Sequence, residues 1–130
     1  MGSNRTLWIL QIVFGLYFVA IGVMHFIVPD GLPELMGWMY ELSDGLHVAS
    51  GIAEILGGLG LIVPGLTKIM PGLTVLAAFG LVAVMVGAAL WHISRGEGGN
   101  VANNVVLAVV AGYLGYARWK VTPLAVSTMT

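Results

Sequence analysis

Proline, glycine and charge break this chain into four apolar runs, each long enough or nearly long enough to cross a bilayer. A spanning helix needs about 17–25 mostly apolar residues. Residues 7–28, 46–63, 73–92 and 101–119 meet or approach that length. Backbone polar groups find no water inside a bilayer, so runs of this kind fold as helices. Only 8% of the chain is charged, where soluble domains reach about 25%. The expected fold is an all-α integral membrane four-helix bundle, with residues 1–130 as a single domain.

The breaks have physical causes. Pro29-Asp30-Gly31 and Pro33 close the first run, and Pro64-Gly65 and Pro71-Gly72 frame the second connection. Arg95-Gly96-Glu97-Gly98-Gly99-Asn100 forms the third, and Pro123 follows the last run. Proline lacks an N–H and glycine admits open backbone angles, so both punctuate helix ends. The first run exceeds the apolar core of a signal peptide, about 7–15 residues, and no small-residue cleavage site follows it. It is expected to persist as the first helix.

An even number of spans puts both termini on one face. Arg5, Lys68, Arg118 and Lys120 share that face, against Arg95 alone on the other, four basic residues to one. The positive-inside rule then predicts cytoplasmic termini, as for a multi-pass protein of a bacterial inner membrane. Trp8, Trp91 and Trp119 stand near run ends, as interfacial tryptophans do. The longest connection, 29–45, can set Leu32, Leu35, Met36, Met39, Tyr40 and Leu42 on one face opposite Glu34 and Glu41. A short amphipathic helix is expected there, either an interfacial linker or a lid. Nineteen glycines are explained as seams of close helix packing: Gly15 and Gly22; Ala49, Ala53, Gly57 and Gly60; Gly80, Gly87 and Ala88; Ala108, Ala111, Gly112 and Gly115.

Glu54 is the costliest residue in the chain. It lies mid-run with no other charge between Asp44 and Lys68. Insertion of such a carboxylate costs roughly 2.5–3.5 kcal/mol, so it is paired, protonated or functional. The topology gives it company. His25, His47, His92, Arg95, Asn103 and Asn104 all fall in the same half of the membrane. His47, Ser50, Gly51 and Glu54 share a helix face at i, i+3, i+4 and i+7. These residues are expected to line a polar cleft open to the outside, with Glu54 at its floor. Arg95 or His92 is the expected partner of Glu54, followed by His25. One of Asn103 and Asn104 is expected to cap the fourth helix. A structural Glu–Arg or Glu–His lock is the plain alternative.

Two elements carry a family resemblance. Gly22-Val23-Met24-His25-Phe26-Ile27-Val28-Pro29 and Ser50-Gly51-Ile52-Ala53-Glu54-Ile55-Leu56-Gly57-Gly58 resemble the DoxX-like family of small bacterial membrane proteins. Ala89-Leu90-Trp91-His92, Arg95-Gly96-Glu97 and Asn104-Val105-Val106-Leu107 extend the likeness. The resemblance implies a four-helix membrane bundle linked to membrane oxidoreductase systems, and carries a motif onto His25, Glu54, His92, Arg95 and Asn104.

Three functions compete. In the first, the chain is a quinone- or small-ligand-binding subunit of an oxidoreductase. Glu54, His92 and His25 would do the proton chemistry, and Arg95, Asn104, His47 and Ser50 would bind the polar head. With no cysteine and no flavin fingerprint, electrons would come from a partner subunit. In the second, His25 and His92 hold a haem, or His25, His47, Glu54 and His92 hold zinc or iron, but no H-x-x-x-H or E-x-x-H pair supports either. In the third, the chain is a non-catalytic assembly protein or homo-oligomer held by its small-residue seams. A net charge of −1 excludes nucleic acid as a partner; the lipid bilayer is the certain one.

Overall fold

A computed structural model describes residues 3–126, and among these every regular element is helical. The order is α1 (Asn4–Met24), a 3-10 helix (Glu34–Tyr40), α2 (Asp44–Thr67), α3 (Gly72–Ser94) and α4 (Gly98–Tyr116), which runs into a π turn (Ala117–Val121). Four helices are long and apolar enough to span a membrane.

The boundaries differ from those expected at several points, each for a local reason. α1 begins at Asn4 rather than 7, because Ser3 caps it by accepting from the Thr6 N–H at 3.2 Å. It stops at Met24 rather than 28, with His25 as its C-cap. α2 starts at Asp44 behind the Ser43 cap and continues through Pro64 to Thr67, although Pro64 was expected to end it. A proline removes one donor and presses on the carbonyl four residues back. That carbonyl, Gly60 O, accepts instead from the Thr74 hydroxyl at 2.7 Å, and the neighbouring Leu61 O accepts from Gln11 Nε2 at 2.7 Å. Two side chains from other helices thus carry α2 past its proline. Lys68, in the left-handed conformation at φ 59°, then closes the helix. The 29–45 connection forms a seven-residue 3-10 helix with Met39 buried.

Adjacent helices are antiparallel. A methyl group on Gly51 would stand 3.0 Å from the Gly22 carbonyl oxygen, and one on Gly58 2.5 Å from that of Gly15. Only glycine lets α1 and α2 approach this closely. Gly57 and Gly60 face Leu81 and Ala77 across the α2–α3 contact. Phe18, Leu61, Ala78, Leu81, Met85 and Ala111 form the core. Gly80 and Gly87 do not join a seam: a methyl group on either would meet nothing within 4 Å. Both border open space.

The bundle therefore has two ends. The loop end carries the first and third connections, and the terminal end carries the start of α1, the end of α4 and the 68–71 connection. A buried polar cluster ties the terminal end together. Arg118 donates to Gln11 Oε1 at 2.6 Å, to Asn4 Oδ1 at 2.8 Å and to Thr122 O at 2.9 Å. Arg118 was counted only as a surface charge, yet Ala111, Leu114 and Arg118 follow the buried stripe at i, i+3 and i+7.

Candidate functional site

The site begins with the Gly22–Gly51 contact. It draws the C-terminal end of α1 onto α2, so that a methyl group on Gly51 would touch His25 Cβ at 3.1 Å. His25 is thereby wedged between His47 and Glu54, which lie two turns apart on one face of α2. His25 Nε2 stands 2.9 Å from Glu54 Oε2. The two atoms are at ion-pair distance without the alignment of a hydrogen bond. His25 Nδ1 and His47 Nδ1 are 2.9 Å apart, and His47 Nε2 lies 2.8 Å from Met39 O. All three side chains are buried, with Glu54 at 5% exposure.

The carbonyl at one end of this chain assigns the protons. Met39 O can only accept, so His47 Nε2 donates to it. With neutral rings, His47 Nδ1 is then a lone pair and His25 Nδ1 donates to it. His25 Nε2 would be left bare, facing a bare carboxylate at 2.9 Å. Two lone pairs at that distance repel, so one more proton is needed, on the imidazole or on the carboxyl.

Arg95 and His92, the partners expected for Glu54, are engaged elsewhere. Arg95 donates through Nε to Glu97 Oε1 at 3.0 Å, pairs through Nη2 with Glu41, and lies over the Trp91 ring at 4.6 Å. His92 Nδ1 donates to Glu97 Oε1 at 2.9 Å. Glu97, outside the membrane-spanning segments, has its pKa lowered from 4.5, first by the His92 hydrogen bond, with Arg95 adding; partial dehydration opposes them. The loop acids Glu41 and Glu97 therefore decide where Arg95 points, a role that charge counting alone could not assign.

A cavity of about 680 Å³ lies beside the Glu54–His25 contact. Ligand pockets commonly enclose about 300–1,000 Å³. His25, Ser50, Glu54, His92, Asn103 and Asn104 supply its polar wall, and Tyr17, Met36, Trp38, Met85 and Trp91 much of its apolar one. Of the expected site residues, His25, Ser50, Glu54, His92 and Asn104 line this cavity. His47 stands behind His25, and Arg95 holds the corner outside it. Asn104 does not cap α4, whose N-cap is Glu97; it is buried on the cavity wall with Nδ2 lacking a partner among the described residues.

Trp38 was not among the expected residues. The 3-10 helix brings its ring to 5.8 Å from His25, 5.2 Å from His92 and 6.4 Å from Trp91. The sequence signal was the apolar face of the first connection, read without Trp38 on it. A cleft open to the outside was expected; Leu35, Met36, Trp38 and Leu42 of the first connection line this cavity.

Comparisons with curated proteins and with solved structures return no match. The pattern that defines the DoxX-like family matches residues 9–126, nearly the whole chain. That stretch contains α2, α3, α4 and all but the first turn or so of α1, together with every residue of the cavity wall, and the chain belongs to the DoxX-like family.

Proposed function

We propose that the chain is the quinone-binding membrane subunit of an oxidoreductase system, with the quinone head in the loop-end cavity. The observation that carries this reading is the buried run of close contacts Glu54–His25–His47, against one wall of a largely apolar chamber. Reduction of a quinone to a quinol takes up two electrons and two protons, one proton on each carbonyl oxygen. The electrons come from a partner subunit, since a chain without cysteine has no thiol or Fe–S ligand to pass them.

The chain's own contribution is protons and orientation. Glu54 and His25 hold a mobile proton at the cavity wall. His47 keeps His25 Nδ1 occupied, so that Nε2 is the nitrogen that exchanges. Asn104 Nδ2, buried with no partner among the described residues, offers a donor to a carbonyl oxygen. The aromatic wall of Trp38 and Trp91 suits a flat ring. The orientation that goes with this reading is N-in/C-in in the bacterial inner membrane, with the cavity in the outer half.

Quinone titration in detergent or nanodiscs tests the reading through tryptophan fluorescence, because Trp38 and Trp91 border the cavity. Saturable quenching is expected, lost in Gly87→Phe, which fills open space in the cavity wall. Binding is also expected to weaken in Glu54→Gln and His92→Ala. If all three variants are quenched like the wild type, the site is wrongly assigned. Retained mass shifts and oligomer mass after gentle extraction separate this reading from a purely assembling subunit.

A further inference from the structure

The first connection lines the cavity at the loop end. Trp38 packs among His25, Trp91 and His92, and the 3-10 helix that carries it is fastened twice. Both fastenings lie at its C-terminal end: Arg95 pairs with Glu41, and Tyr40 Oη donates to Pro29 O at 2.7 Å and accepts from the Leu32 N–H at 3.1 Å. Toward the lipid the situation differs. A second groove of about 430 Å³, lined by apolar side chains, runs between α2 and α3. It shares Ala53 and Val84 with the cavity, so the two spaces adjoin. Leu56 and Leu76 form its rim at 63% and 68% exposure, on the bilayer-facing surface.

We propose that this groove holds the isoprenoid tail of a lipid quinone whose head lies in the cavity, and that the ligand arrives from the membrane rather than from the aqueous side. The assignment rests on the quinone reading. The groove offers no titratable or hydrogen-bonding side chain, so a polar substituent would be stranded there. Its length suits a tail: from Ala53 to Pro64 it follows eleven helical steps, about 16 Å. It leads from Glu54 toward the terminal end, along the direction of the acyl chains. Gly80 leaves its middle open, with nothing within 4 Å of an added methyl group.

Full-length protein in nanodiscs is titrated with a tail-less benzoquinone and with the same head bearing an isoprenoid tail, each corrected for partition into lipid. Tryptophan quenching is the readout. The wild type is expected to bind the tailed form about tenfold more tightly, from packing contacts alone. Gly80→Phe should remove that preference and leave tail-less binding within about twofold. Gly80→Leu, which improves helix propensity, guards against a folding defect and should act in the same direction. If the tailed preference survives both variants while the tail-less head still binds, the groove assignment falls and the quinone reading stands. If the variants alter oligomer mass and not the preference, the groove belongs to a second copy and the proposal is overturned. If neither quinone quenches the wild type, both readings fail together.

Discussion

His25 faces a histidine through one ring nitrogen and a carboxylate through the other, and both contacts are buried. His25→Ala leaves Glu54 without its partner in a site of low polarity. Breaking one member of a buried pair costs about 3–5 kcal/mol, whereas replacing both with apolar groups is often neutral. His25→Ala is therefore expected to lower stability in detergent by about that amount, and Glu54→Leu/His25→Leu to recover most of it; equal losses in both would deny the coupling. Glu54 stood out from its neighbours because carboxylates are rare at that depth. Its partner was not legible, because four basic groups, His25, His47, His92 and Arg95, shared the same half of the membrane. Which one it met depended on Glu41 and Glu97, loop acids whose positions follow from a 3-10 helix and a sharp α3–α4 corner. Arg118 was legible in principle through its i+4 spacing from buried Leu114, but a cation near a chain end reads first as solvated.

At the scale of an element, α2 is the informative case. Pro64 read as a terminator, and the helix continues because Thr74 satisfies the carbonyl that the proline orphans. That donor sits on another helix, so no local pattern could report it. Thr74→Val keeps the shape and strands Gly60 O inside the bundle. An unsatisfied buried acceptor costs about 1–3 kcal/mol. Thr74→Val should lose that much in unfolding experiments, and Thr74→Ser should restore it if the hydroxyl and not the methyl matters. The α3–α4 corner makes a separate prediction. Glu97 is held below its ordinary 4.5 by His92 and Arg95. A lowered carboxylate contributes its full stabilisation above the unfolded value and loses it as pH falls through the folded one. Acidification below about pH 4.5 should therefore loosen the contacts of Glu97 with His92 and Arg95, visible as increased protease access to the α3–α4 corner. Glu97→Gln should loosen them already at neutral pH and remove its own part of the acid response.

The whole molecule was legible in its order and number of spans, because apolar runs between proline and glycine breaks need nothing beyond local chemistry. Its seams were half legible: Gly15 and Gly22 pack as small residues do, whereas Gly80 and Gly87 border the groove and the cavity. Sequence cannot tell a glycine that admits a helix from one that leaves a space. Orientation remains a matter of charge, and the folded chain sharpens the count. Arg95 is matched by Glu41 and Glu97 at the loop end. At the terminal end Arg118 is bound by the neutral groups Gln11, Asn4 and Thr122 O, so its charge has no carboxylate beside it among the described residues. The uncompensated positive charge thus lies at the terminal end, which the positive-inside rule assigns to the cytoplasm. A chain without cysteine allows a clean test, since each introduced thiol is the only one. Single cysteines replacing Gly31 and Gly98 should react with a membrane-impermeant maleimide on intact cells stripped of their outer membrane. One replacing Ile69 should react only after the inner membrane is opened. The reverse pattern would put the cavity in the cytoplasmic half and turn the proposed proton supply toward the cell interior.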